Sequence, residues 1–329
     1  MFRFPFRPLC VALTLCLVLT AAPALAGHKA DGAAKQAIVL AAFGTSYPTG
    51  LDSILNIKTR VEKAYPGVPV RLAFTSSIIR KIWSKRRHDP EWQKANQDVP
   101  REVLFVKSPL ATVADLQDEG YKDLAVQTLH VFAGEEFSDL TNMMIGLRSI
   151  RTVKAKSIPF NKLRLGRPAL GMPGDAYPYT DDIAAAAAAL KGDVDEAKKM
   201  GATLVYMGHG NDFYSTGIYS EFQHVMQTSH DYPVFVGCVE GFPGFDELVA
   251  ELKATGKKKI LLKPFMVVAG DHASNDMAGD EDDSWKVMLT RAGFSVTTQL
   301  RGLGSVDAWA DLYVNHLKDA MAQSHMLPR

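Results

Sequence analysis

The segment Phe265-Met266-Val267-Val268-Ala269-Gly270-Asp271-His272 decides the fold, because the chain carries it twice. Its counterpart is Leu129-His130-Val131-Phe132-Ala133-Gly134-Glu135-Glu136. Each is an apolar run that ends in Ala-Gly and continues into polar, metal-competent side chains. A second pair lies upstream. Leu40-Ala41-Ala42-Phe43-Gly44 parallels Leu204-Val205-Tyr206-Met207-Gly208, which continues into His209. The chain therefore reads as two halves built on one plan.

Working outward, the strand-like runs are mainly apolar rather than strictly alternating. Residues 37–43, 70–74, 123–131, 204–207, 234–239 and 259–268 are of this kind. Helical patterns separate them, such as Leu51, Ile54, Leu55, Ile57 and Val61 on one face. Fully apolar strands alternating with helices indicate parallel sheets covered on both sides. The six alanines at 184–189 fall in a helix for which Thr180 is the expected cap, with Asp181 and Asp182 in its first turn. The expected fold is α/β: two similar doubly wound halves, each with a central parallel sheet flanked by helices, and a cleft between them. The boundaries are drawn at 27–165 and 166–329. The first half is longer, since Gly44 and Gly134 are 90 residues apart and Gly208 and Gly270 only 62. A Trp-containing insertion at about 80–108 accounts for the difference.

Composition narrows the function. The 329 residues are 47% apolar and 22% charged, as in an ordinary globular protein. With 37 basic and 36 acidic residues there is no large field of one sign, which argues against nucleic acid as partner. Residues 1–26 read as a secretory signal peptide. Arg3 and Arg7 form a basic start, residues 9–19 an apolar core, and Ala24-Leu25-Ala26 a small-x-small cleavage pattern. Cleavage removes both arginines, turning the formal charge slightly negative, and takes Cys10 and Cys16, leaving Cys238 alone. The expectation is a periplasmic protein with no intrachain disulfide and no stable membrane insertion.

Three signals fall at strand ends. His209 stands between Gly208 and Gly210; Glu240 closes an apolar run; Gly270-Asp271-His272 opens a polar stretch through Asn275 and Asp276. In a doubly wound sheet, successive strand-to-helix loops open on one edge, so His209, Glu240 and His272 can converge. Two imidazoles and a carboxylate suit a borderline divalent ion. Each residue also has a plain reading: a loop histidine with one hydrogen bond, a carboxylate at a helix start, a helix cap. His130 lies near the same edge by the repeat, and equally reads as a strand histidine. Lys85-Arg86-Arg87-His88 reads as a solvated basic face, whereas Arg80 and Lys81 are the cations nearer the cleft. No phosphate-binding glycine loop follows a strand, and no G-x-S-x-G elbow occurs. Nucleotide cofactors and hydrolase chemistry are not indicated.

At these residues the sequence resembles the class II tetrapyrrole chelatases, and within them the anaerobic-type cobaltochelatases that act on sirohydrochlorin, the CbiK family. The resemblance runs from about Ala37 to Leu317. It is carried by Phe43-Gly44-Thr45-Ser46, Gln127-Thr128-Leu129-His130, Met207-Gly208-His209-Gly210, Val239-Glu240 and Gly270-Asp271-His272-Ala273 through Asn275-Asp276-Met277. It implies an enzyme that inserts Co(II) into sirohydrochlorin with release of two protons, and that accepts Fe(II) as an alternative metal. It makes His209, Glu240 and His272 the cobalt ligands and catalytic groups. Glu136 or Glu135, with His130, would line the cleft, and Arg80 would meet the substrate's carboxylates. Exported proteins that resemble this chain add two expectations: a homo-oligomer, and haem at a subunit interface with His88 and His130 as ligand candidates. The competing reading is a periplasmic carrier of a metal or tetrapyrrole. An unrelated two-lobed solute-binding protein would not explain the Gly-Asp-His segment.

Overall fold

The structure is a computed structural model that describes residues 35–174 and 176–322. The expected signal peptide lies outside the described residues. In the first half, β1 (Gln36–Ala42), β2 (Val70–Phe74), β3 (Asp123–Thr128) and β4 (Lys162–Gly166) form a parallel sheet in the order β2-β1-β3-β4. In the second, β5 (Thr203–Gly210), β6 (Val234–Glu240), β7 (Lys259–Phe265) and β8 (Ser295–Thr298) repeat it as β6-β5-β7-β8. Both sheets reverse winding direction beside their first strand, the place where loops part and open a crevice.

Strand alternation sorts the core into layers. Ile38, Leu40 and Ala42 of β1 and Leu204 and Tyr206 of β5 enter one shared cluster between the sheets. Ala37, Val39 and Ala41 face an outer cluster, and Val205 and Met207 another. With both faces buried, β1 is apolar from Ala37 to Ala42 and β5 from Leu204 to Met207. Helix α1 (Leu51–Ala64) follows the same logic, burying Leu51, Ile54, Ile57 and Val61 on one stripe, each contributing about 1.5–3 kcal/mol.

Between β2 and β3 the chain forms α2 (Ser77–Arg86), α3 (Pro90–Ala95), α4 (Arg101–Leu104) and α5 (Pro109–Asp118). The corresponding stretch between β6 and β7 holds only α10 (Phe245–Ala254). The other helices are α6 (Glu135–Arg148), α7 (Tyr179–Ala189), α8 (Lys191–Met200), α9 (Gly217–His230), α11 (Trp285–Arg291) and α12 (Asp307–Ala322). Helix α12 leaves the second sheet and packs on α1, β3 and β4. The alanine-rich helix starts one residue before its expected cap. Pro178, with φ −58°, sets the entry, and Thr180 lies inside the first turn. Asp182 in that turn is bound by Arg167 and faces His316 of α12. No helix among the described residues is long and apolar enough to cross a membrane.

Candidate active site

The register of β5 against β6 builds the centre of the site. Gly210 pairs with Glu240, and the Asn211 N–H donates to the Glu240 carbonyl at 3.1 Å. Gly210 has φ +80°, and a Cβ there would lie 1.7 Å from that carbonyl oxygen, so only glycine fits. This close approach sets His209 beside Glu240, its Nδ1 3.9 Å from the carboxylate. The same Nδ1 lies 3.2 Å from the Gly210 carbonyl, to which its N–H donates.

His272 arrives from the loop after β7. It precedes a π-helical turn, Ala273–Met277, a wide turn of a kind often found at functional sites. There His272 Nδ1 meets Asp276 Oδ2 at 2.5 Å. The two imidazoles lie edge to face with centroids 4.7 Å apart. Both therefore have Nδ1 turned to an oxygen acceptor, which leaves each Nε2 lone pair for a metal. Asp276 was legible in the sequence only as a cap; the turn makes it the group that orients His272. His209, Glu240 and His272 are all partly open to solvent, as an ion entering from water requires.

A cavity of about 440 Å³ opens at this edge, between loops of the two sheets. His209 and His272 line it from the second half, and His130 and Glu136 from the first. Glu136 is in the first turn of α6, where the helix dipole favours a carboxylate. Its neighbour Glu135 is exposed and does not line the cavity. The His130 ring is partly buried in the cavity wall, and desolvation pushes its pKa down to about 4, so it is neutral at neutral pH.

The halves are tied together beside the site. Tyr47 donates to Asp271 at 2.8 Å, and Asn275 donates to the same oxygen at 2.9 Å. The bond to Asp271 holds the Tyr47 hydroxyl above its ordinary pKa. The loop carrying Tyr47 is fixed from the Trp-containing segment. Trp83 donates to the Thr45 carbonyl at 2.8 Å, and Arg86, stacked on Trp83 and Trp92, donates to Ser46. Arg86 is thus not part of a solvated basic face as its sequence context suggested; burial holds its pKa below the ordinary value. Arg80 does not line the cavity. Its guanidinium donates to the carbonyls of Phe74 and Thr75 at the end of β2. Lys81 is exposed, and His88 is exposed with its Nε2 beside Arg87. Buried Cys238 has its thiol pushed up to about 12 and does not line the cavity.

Two parallel sheets of identical order with imidazoles at a shared edge have the chelatase fold. The sirohydrochlorin chelatase SirB of Bacillus subtilis subspecies spizizenii, solved in complex with cobalt, has a TM-score of 0.53. The match covers 88% of this chain and 96% of that one, at 12% identity, so the likeness is one of fold. The family is more specific: residues 36–322 match the sequence model described as cobalt chelatase (CbiK), and the chain belongs to that family. The sirohydrochlorin cobaltochelatase of Salmonella typhimurium is 32% identical over 289 residues, covering 87% of this chain and 97% of that protein. The sirohydrochlorin cobaltochelatase CbiKC of Nitratidesulfovibrio vulgaris is 30% identical over 288 residues, covering 88% and 91%.

Proposed function

We propose that the protein inserts Co(II) into sirohydrochlorin, releasing two protons. The observation that carries this is the pairing of His209 and His272, rings 4.7 Å apart on the cavity wall of a cobalt chelatase family member, with Glu240 3.9 Å from His209 just outside that lining. Metallation exchanges protein and water ligands of the ion for four macrocycle nitrogens. Neutral imidazoles suit the task, because they hold Co(II) firmly enough to place it and loosely enough to release it. Glu240 lies beyond hydrogen-bond distance of His209 and is half exposed. It is free to turn onto the ion or to take a pyrrole proton. The apolar walls contributed by Ile79, Val268 and Phe265 suit the faces of a macrocycle.

The test is an absorbance time course of purified protein with sirohydrochlorin and Co(II). Fe(II) is run in parallel, because this donor set also binds iron. Acceleration over buffer that is lost in His209→Ala and His272→Ala is expected; a wild-type rate in both variants overturns the assignment. Export to the periplasm is a further proposal, supported by the basic, apolar and small-residue pattern of residues 1–26. N-terminal sequencing of the protein recovered from cells checks it, with Gly27 the expected first residue. Haem at a subunit interface gains no support from the described residues: His88 is an exposed imidazole held by Arg87, and His130 lines the cavity beside His209 and His272.

A further inference from the structure

In the cavity wall one buried ring nitrogen is unmatched. His130 Nε2 is buried and has no hydrogen-bond partner within the protein, although its residue lines the cavity shared by His209 and His272. The rest of the residue is held firmly. Its Nδ1 lies 2.7 Å from Thr128 Oγ1, and its backbone N–H donates to the same hydroxyl at 3.3 Å. Its carbonyl accepts from the Tyr313 hydroxyl at 3.2 Å and from the Ala169 N–H at 3.1 Å. A buried polar atom without a partner is costly, and natural structures rarely keep one without a use. Here the ring cannot turn to find another partner without losing Thr128. The imidazole is neutral at neutral pH, so it does not repel a divalent cation.

We propose that His130 Nε2 hydrogen-bonds an inner nitrogen of the metal-free macrocycle, and so distinguishes substrate from product. The proposal rests on the cobaltochelatase reading. A metal-free tetrapyrrole offers inner N–H donors and imine-type acceptors. When Nδ1–H donates to Thr128, Nε2 carries a lone pair and accepts from an inner N–H. When the Thr128 hydroxyl donates instead, Nε2–H donates to an imine nitrogen. Either tautomer is satisfied by the substrate. In the cobalt product all four nitrogens are bound to the ion, and neither bond can form. These hydrogen bonds are made to bound substrate and not to bound product, and their loss on metallation favours product release. It is a positioning residue at the macrocycle, supplied by the first sheet, while the second sheet supplies the metal-handling imidazoles.

The experiment compares the full-length protein with His130→Phe, which keeps a planar ring, and His130→Gln, whose amide both donates and accepts. Binding of metal-free sirohydrochlorin is read by its fluorescence, and of cobalt-sirohydrochlorin by difference absorbance. His130→Phe should weaken the metal-free ligand about tenfold and leave the cobalt ligand unchanged, with His130→Gln recovering most of the loss. Co(II) binding without macrocycle should be unchanged in both. Equal weakening of the two macrocycles, no weakening, or loss of Co(II) binding overturns the proposal. Should His130→Phe fail to fold, Thr128→Val, which frees the ring, must show the same selectivity at smaller size, and its absence is equally decisive. If the wild type neither binds nor metallates sirohydrochlorin, it is the cobaltochelatase reading itself that falls.

Discussion

Asp276 offers the sharpest test of how the site handles metal. Its carboxylate takes the Nδ1 side of His272 at 2.5 Å, one helical turn away, and so keeps Nε2 free for the ion. Outer partners of this kind are worth about 10–100-fold in metal affinity. The pair is roughly two-fifths exposed, 41% and 43%, so solvent screens its charge and the lower end applies. Asp276→Ala should therefore weaken Co(II) about tenfold, or about 1.4 kcal/mol. Asp276→Asn should do more. Its amide can present an N–H to Nδ1, which moves the ring proton to Nε2 and blocks the coordinating lone pair, so the loss should approach about a hundredfold. The assay is a Co(II) titration of tetrapyrrole-free protein, followed by visible absorption of the bound ion. Initial metallation rates at low and saturating Co(II) complete it. An affinity effect is recovered at saturation, whereas a misplaced ion is not. Wild-type Co(II) affinity in both variants would refute the claim that Asp276 sets the tautomer of His272.

Three further outcomes follow from the geometry. Gly210→Ala places a Cβ 1.7 Å from the Glu240 carbonyl oxygen at a φ of +80°, so β5 and β6 must part. Cobalt affinity should fall with a loss of stability above about 1 kcal/mol, seen in the melting temperature. Tyr47→Phe removes the 2.8 Å bond to Asp271 that joins the halves. Stability should drop by about 1 kcal/mol and KM for sirohydrochlorin should rise more than kcat falls. Arg167→Ala breaks a buried pair with Asp182 and should cost about 3–5 kcal/mol by denaturant unfolding. For Asp182, burial opposes ionisation, but Arg167 and His316 outweigh it and hold the carboxyl below its usual range. Stability from such a group is full above the unfolded pKa and is lost as pH falls through the folded one. Asp182→Asn should accordingly flatten the acid limb of stability below about pH 4.

The parts of the fold that were hard to see in sequence share a cause. Strand β4 contains Arg164, which reads as a surface residue until Asp123 is seen to neutralise it in the interior. Strand β8 is a short, half-exposed edge of Ser, Val and Thr, and lacks the apolar run that marks a buried strand. The run after β7 looked like more strand, but Met266 and Val267 give their carbonyls to Leu303 and Gly304 instead. The same holds within the site. Arg80 looked free for a substrate carboxylate, and is instead held by carbonyls at the end of β2. Arg164 and the run after β7 were misread because their partners lie far along the chain; Arg80 was misread because its backbone partners, though only five and six residues away, come within reach only when the chain turns from β2 into α2.

Local pattern by itself indicated the parallel strands and their strand-end loops, and raised His209, Glu240 and His272 as candidates that such loops can bring to one edge. Burial on both faces favours mainly apolar strands, and glycine is needed where backbones approach, so these properties leave a local mark in the sequence. Only the tertiary structure decided which nitrogen of each imidazole is free, that Asp276 orients His272, and that His130 Nε2 is buried without a partner. Such properties depend on the distance and direction between groups brought together by folding. A strand ending in Gly-His-Gly announces a histidine at the cleft, while the chemistry of its ring is set by what the rest of the chain places beside it.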